Sequence, residues 1–371
     1  MLNLDIDSSA LQDLSVYIHV PFCDSICDFC AFSKVLSEKN LITKYVDCLT
    51  KEIKQFCIKY SFDIFSETKT LYFGGGTPST LSIDHLERIL SLFNTNAIDE
   101  ITIECHPDHI NMSYAEQLLR MGFNRISVGI ENIDGNMLTR LGRSPHNKPI
   151  SEISKIFHEL NFDNWSVDFM FGYSDMSLDS FSSMLDYVLD LSFPPSHLSL
   201  YALTVEPGTP LYRRSEFEME DDLIRYYTLI ENTMTQKGYQ FEEISNWHKP
   251  RHGSLHNQNY WGHGDWIGFG PGAYSTVLPF RWFNTKKVKS YIDKIDSVVS
   301  PIVHVECLSK MDITLETLML DLRTPMGIEQ KYLPEVLLKD GLVVVDVVTQ
   351  RYILTPKGKA LCNYVCSQIL L

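Results

Sequence analysis

The chain is built of short apolar runs of strand length, each followed by a longer stretch in which apolar residues return at helical spacing. Val16 to Val20 is the first run, and residues 38–60 then place Ile42, Tyr45, Val46, Leu49, Ile53 and Phe56 on one helical face. TLYFGGGTP at 70–78 reads as a strand entering a glycine turn, and a helical pattern follows from Asp84 to Phe93. EITIECHP (100–107), RISVGIEN (125–132), WSVDFMFG (165–172) and HLSLYALT (197–204) repeat the cadence, with helix-length segments such as Ser113 to Met121 and Ser177 to Leu191 between them. Six strand-then-helix units predict an α/β fold whose parallel sheet is closed, or partly closed, into a barrel. An open doubly wound sheet is the alternative.

Beyond residue 220 the pattern is less regular. A helix over 221–236 and a strand from Tyr239 to Ile244 precede HNQNYW (256–261) and DWIGFGPGAYS (265–275). The glycines at 268, 270 and 272 call for tight turning or close approach of the backbone to a ligand. The last stretch changes character: a helical piece from Thr314 to Arg323, a second helical piece, the apolar run LVVVDVV, a turn at Thr349 to Gln350 and a final helix. This order predicts a small winged-helix-like domain over 301–371, behind a barrel and its trailing glycine-rich segment over 1–300. Such a domain often binds DNA, but Glu316, Asp321, Glu329, Glu335, Asp340 and Asp346 thin the basic surface that requires, so it reads as a cap or partner-docking element.

Charge sharpens this. Lys plus Arg number 32 against 47 Asp plus Glu, a net charge of −15, which argues against a nucleic-acid partner. The first 14 residues lack the basic and apolar regions of a signal peptide, and no segment has the run of apolar residues a membrane span needs. A cytoplasmic protein is expected, with peripheral membrane contact left open. Nine cysteines is an odd number, so a disulfide framework is not expected. Three of them, Cys23, Cys27 and Cys30, fall in the loop after the first strand and call for a metal.

Three thiolates could hold zinc if a fourth ligand completed a tetrahedron. The spacing C-x3-C-x2-C suits instead a 4Fe–4S cubane in which three irons take the cysteines and the fourth stays open. If the amine and carboxylate of S-adenosylmethionine fill that position, one electron entering the sulfonium breaks its C5′–S bond and yields a 5′-deoxyadenosyl radical. Polar or glycine residues also stand at the end of nearly every predicted strand: Gly74 to Thr77, Glu104, Glu131, Asp168 and Thr204. In parallel α/β folds that edge is where ligands bind.

With Phe29 inside the loop and the next strand ending in glycines, the pattern resembles the radical S-adenosylmethionine superfamily. Within it the chain is similar to the group of oxygen-independent coproporphyrinogen oxidases and HemW-like haem chaperones. YIHVPFC, FGGGTP, SVGIEN, LGR, VDFMFG, LTVEPGTPLYRR, EISNW and HNQNYW carry the resemblance from Tyr17 into the C-terminal part. It implies a 4Fe–4S cluster on Cys23, Cys27 and Cys30, with Tyr17 and Phe29 beside it and Gly75, Gly76 and Thr77 at the methionyl part of S-adenosylmethionine. Glu104, Glu131, Arg143, Asp168 and Ala202 then serve the remainder of that cofactor. Two positions depart from the group: Glu131 stands where glutamine is usual, and Ala31 follows the third cysteine.

Only 22 residues precede Cys23, too few for the N-terminal extension of the oxidases, and position 32 is Phe rather than a further cysteine. Both features favour the haem-chaperone side of the group. In HNQNYW, His256 is then the candidate ligand to haem iron, with Tyr260 and Trp261 as aromatic faces for a porphyrin. The implied partners are haem or a porphyrin, an electron donor and a haem-acceptor protein. The alternative activities are decarboxylation of coproporphyrinogen, or methylation or cyclisation in a biosynthetic pathway.

Overall fold

The computed structural model describes residues 14–173, 176–214 and 223–370. Residues 1–13 of the stretch read for a leader, and the first two positions of the helix expected over 221–236, lie outside them.

The apolar runs do form strands: β1 (Leu14–Val20), β2 (Thr68–Gly75), β3 (Glu100–Cys105), β4 (Arg125–Glu131), β5 (Trp165–Phe171) and β6 (His197–Ala202). They lie side by side in chain order, all parallel. A doubly wound sheet would reverse its order at a switch point, and these six strands do not. The helices between them include α1 (Lys39–Tyr60), α2 (Ile83–Leu90), α3 (Met112–Arg120), α4 (Ile150–Glu159) and α5 (Leu178–Leu189). Each stacks its apolar stripe on the outer face of the sheet. There Val16, Ile18, Leu71, Phe73, Ile103, Val128, Val167 and Leu200 form one buried core with the helices.

Alternation along the same strands turns the other residues inward, and these are polar. Ser15 and Thr70 share a hydrogen bond of 2.7 Å, Tyr17 stacks on Tyr72, and the Ser127 hydroxyl donates to Asp168 at 3.3 Å. The period of two thus separates a dry outer face from a polar concave one. The architecture is a partial parallel barrel.

Three further strands follow in chain order: β7 (Gln240–Glu243), β8 (Asn246–His248) and β9 (Trp266–Phe269), with helix α6 (Leu223–Gln236) before them and α7 (Leu255–Trp261) between β8 and β9. The first two continue the sheet antiparallel from β6. By contrast, β9 crosses to the opposite edge and pairs in parallel with β1. The segment whose glycines called for tight turning or close backbone approach therefore starts as a seventh parallel strand, and the turn begins only at Gly270. There φ is +99°, and a Cβ would lie 2.6 Å from the His19 carbonyl oxygen, so only glycine fits. From β9 the sheet runs on antiparallel through β10 (Tyr274–Val277), β11 (Phe280–Asn284) and β12 (Ile302–Cys307), with α8 (Val288–Asp296) packed on α1.

Past β12, α9 (Lys310–Leu322), the hairpin of β13 (Val343–Val345) and β14 (Tyr352–Leu354), and α10 (Pro356–Ala360) and α11 (Cys362–Ser367) surround a second core of Leu318, Leu322, Ile328, Leu337, Tyr352 and Val365. Lys359 of α10 reaches across to the barrel. Its Nζ is 2.7 Å from Glu231 of α6 and lies over the Phe241 ring at 3.9 Å. Among the described residues no helix is long and apolar enough to cross a membrane.

Candidate functional site

The three cysteines lie on the loop that leaves β1, with Cys23 buried and Cys27 and Cys30 half-buried. Side contacts pin the loop over the ends of the parallel strands. The Asp28 N–H donates to the Leu141 carbonyl at 3.1 Å, Leu211 donates to the Asp28 carbonyl at 3.0 Å, and Arg214 pairs with the Asp28 carboxylate. Asp24 is 2.9 Å from His109 Nε2, and Lys34 folds back onto the Cys30 carbonyl. Burial raises the Cys23 thiol and pushes Cys27 up to about 11, opposed at Cys27 by the Arg143 guanidinium, whose Nη1 lies 3.9 Å from the sulfur. Bare thiolates are costly here, and a cation that neutralises them is what such a loop requires.

The glycine turn after β2 is stitched to this loop. Gly76 donates to the Val20 carbonyl at 2.8 Å and Thr77 to the Phe22 carbonyl at 2.7 Å. A Cβ on Gly76 would fall 2.7 Å from the Phe22 carbonyl oxygen, and Gly75 sits at φ +112°. Chain approach this close excludes any side chain.

Below the turn three acids face the concave side. Glu104 accepts from the Tyr72 hydroxyl at 2.9 Å and from the Gly75 N–H at 3.1 Å. Burial, with the nearby Asp168 charge, pushes it up to about 7, and burial also raises Asp168. Glu131 stands at φ +54°, where the register of β4 against β5 shifts, and burial pushes it up to about 7 as well. Its Oε1 is 2.9 Å from Arg143 Nη1, while Arg143 Nη2 donates to the Gly129 carbonyl at 2.7 Å. One atom on each partner, Glu131 Oε2 and Arg143 Nε, is buried with no hydrogen-bond partner. Of the remaining expected residues, Tyr17 bonds His19 through its hydroxyl at 3.2 Å, Phe29 packs on the barrel core, and Ala202 closes β6 opposite Phe171.

His256 is placed elsewhere. On α7 it lies against Thr70 near the start of β2, five residues or roughly 16 Å of extended chain from the glycine turn. The ring is 1% exposed, stacked on Tyr72 with centroids 5.0 Å apart, and engaged at both nitrogens: Nδ1 to Thr70 Oγ1 at 2.8 Å and Nε2 to the Tyr260 hydroxyl at 2.7 Å. The Thr70 hydroxyl donates to Ser15, so the consistent tautomer carries its proton on Nδ1 and accepts at Nε2 from Tyr260. Iron ligation through Nε2 therefore requires Tyr260 to leave it. Trp261, at the end of α7, is half-buried.

Glu100 explains why α7 docks there, and the sequence reading missed it. Its carboxylate accepts from the Leu255 N–H at 2.8 Å and the His256 N–H at 3.1 Å, anchoring the start of the helix in the barrel floor. His256 and the residues expected at the cluster and S-adenosylmethionine thus lie toward opposite ends of the barrel. Also missed were His19, whose Nε2 is 2.9 Å from the Ser33 carbonyl at the far end of the cysteine loop, and the rings of His106, His109 and His146 beside the mouth. ECHPDH held two of these histidines in plain view, but nothing in it shows that His146 joins them.

Comparison with known proteins agrees with this geometry. Residues 17–188 match the Radical SAM superfamily model. The heme chaperone HemW of Escherichia coli (strain K12) is 33% identical over 72% of this chain and 71% of its own length; that of Bacillus subtilis (strain 168) is 29% identical over 86% of each. The chain belongs to the HemW family of radical SAM proteins. Among solved structures, coproporphyrinogen III oxidase (HemN) from Escherichia coli superimposes with a TM-score of 0.80 over 97% of this chain and 92% of its own, at 23% identity, a likeness of fold.

Radical SAM membership implies a 4Fe–4S cluster and S-adenosylmethionine, and the residues present fit both. Among the described residues no three of the His, Cys, Asp and Glu side chains are arranged to hold a single metal ion. The unspent Glu131 Oε2 and Arg143 Nε match the ammonium and carboxylate of an amino acid group.

Proposed function

We propose that this chain binds a 4Fe–4S cluster through Cys23, Cys27 and Cys30, holds S-adenosylmethionine above the strand ends, and receives haem for delivery to an acceptor protein. The carrying observation is the cysteine loop fastened over Glu104, Asp168 and the Glu131–Arg143 pair, in a chain whose relatives are named heme chaperones. When bound, the cluster supplies one electron to the sulfonium. Tyr17 and Phe29 would flank the cluster, Gly75, Gly76 and Thr77 would give the methionyl part close backbone contact, and Arg143 would take its carboxylate. Glu104, Glu131, Asp168 and Ala202 would line the rest. His256 is the imidazole assigned to haem iron, with Tyr260 as the group that must release it.

Anaerobically reconstituted protein tests this. Expected are iron and sulfide near four per chain, most of it lost in Cys27→Ala. Haem should bind without turnover of coproporphyrinogen. Coupled formation of 5′-deoxyadenosine and a decarboxylated porphyrin would show the coproporphyrinogen oxidase activity instead.

A further inference from the structure

The lysines of this acidic chain are not spread evenly. Residues 34–60 and 286–296 together carry ten lysines against five acidic side chains, in a chain of net charge −15, so the remainder is more acidic still. These two stretches are α1 and α8 with their leading residues, and they lie against each other: Lys44 and Lys51 of α1 reach Asp296 of α8 at 3.3 and 2.9 Å. Both also begin at the cysteine loop. Ser33 donates its hydroxyl to the Lys286 carbonyl across 253 residues of sequence, and Lys39 opens α1 directly after the loop. Lys39, Lys286, Lys287 and Lys289 are exposed. Beside them, two residues after Cys30, Phe32 is 69% exposed, and Leu36 is 59% exposed. Exposed apolar side chains in a lysine-rich stretch are the make-up of a charge-steered protein interface.

We propose that this face docks an acidic one-electron carrier protein, which reduces the centre held by Cys23, Cys27 and Cys30. The inference rests on the cluster reading above. One electron leaves the carrier, which is oxidised by one electron, and enters the centre, which is reduced by one; no proton moves. Charge complementarity selects an acidic partner. The position of the lysines at the cysteine loop selects an electron carrier over an anionic lipid surface, which has no reason to lie there.

The test uses the full chain with its cluster reconstituted and, as probe, a reduced acidic plant-type ferredoxin mixed by stopped flow. In wild type the second-order rate of cluster reduction should fall steeply as salt is raised. In Lys286→Glu/Lys287→Glu/Lys289→Glu it should be about tenfold or more lower at low salt and nearly independent of salt. Iron content and reduction by dithionite should be the same in both proteins. Equal ferredoxin rates in wild type and variant would overturn the docking face while leaving the cluster intact. Absence of iron or of any dithionite-reducible centre would overturn the cluster reading, and the docking face with it. Co-sedimentation with phosphatidylglycerol vesicles lost in the variant, with the ferredoxin rate unchanged, would make the face a lipid contact and overturn the proposal. Because the substituted side chains are exposed and none is assigned to the cluster or S-adenosylmethionine, unchanged circular dichroism and iron content serve as the folding control.

Discussion

The Tyr260 hydroxyl holds His256 Nε2 at 2.7 Å inside the floor of the barrel, so the one imidazole nitrogen with a lone pair to give is already in use. Tyr260→Phe removes this competitor and keeps the ring that packs edge-on against His256 at 4.7 Å. Haem affinity should therefore rise, while stability falls by about 1 kcal/mol for the lost hydrogen bond. Absorbance titration with haem and urea denaturation measure the two effects. An unchanged haem affinity would take His256 out of the haem site and leave it as a core residue.

The same burial gives a pH signature. His256 is pushed down to about 3, well below the range of an exposed imidazole, because the dry floor disfavours its charge. The unfolded chain protonates this group below about 6.5, whereas the folded one stays neutral down to about 3. Its contribution to stability is thus complete above pH 6.5 and is lost as pH falls through the window below. His256→Asn should be less stable than wild type at pH 7.5, and the deficit should narrow by up to about 1.4 kcal/mol per unit between pH 6.5 and 4.5. Parallel urea curves at several pH values check this; a constant deficit contradicts it.

At the other end of the barrel, Arg143 and Glu131 are a nearly buried pair, 11% and 13% exposed. Removing only the cation strands a carboxylate, so Arg143→Ala should cost about 3–5 kcal/mol. Glu131→Gln keeps an acceptor for Arg143 and removes a charge that burial disfavours, and should cost less than 1.5 kcal/mol. Chemical denaturation at pH 7.5 separates the two variants, and equal losses would show that the pairing carries no weight. In the reconstituted protein the first variant should also lose most S-adenosylmethionine binding by calorimetry, the second much less.

Lys359 joins the second core to the barrel with its side chain 6% exposed, between Glu231 and the faces of Phe241 and Trp247. Burial lowers its affinity for the proton, and the Glu231 carboxylate offsets this. Lys359→Ala should lower stability by about 2 kcal/mol through the lost desolvated cation–π contact and ion pair. Limited proteolysis should then cut first within residues 310–370. Unchanged cleavage would mean that the two cores are held together by other contacts.

Much of this molecule was legible in the chain because its decisive signals are local. Strand spacing called for a parallel α/β sheet, as a barrel or an open doubly wound sheet, since each apolar run is of strand length and each intervening stretch of helix length. The three cysteines lie within eight residues, so one loop brings them together whatever the remainder does. Glu104, Glu131 and Asp168 reach the mouth because strand polarity places every C-terminal end on one side. A period of two also decides which face of each strand is dry.

Tertiary structure decided whatever depends on residues far apart in sequence. That Trp266–Phe269 crosses the whole sheet to pair with β1 cannot be read from four apolar residues among glycines, because the partner strand supplies the hydrogen bonds. The six-residue block names His256 as a candidate ligand but cannot show that Thr70, Glu100 and Tyr260 converge on it from separate elements. The Glu131–Arg143 pair requires the shifted register of β4 as well as both side chains. Lysines scattered over two distant segments become one face only when α1 and α8 pack together. Periodicity and spacing therefore determined the scaffold and the cysteine loop, while long-range packing, which alone brings distant polar groups within reach of one another, decided which groups are free to bind.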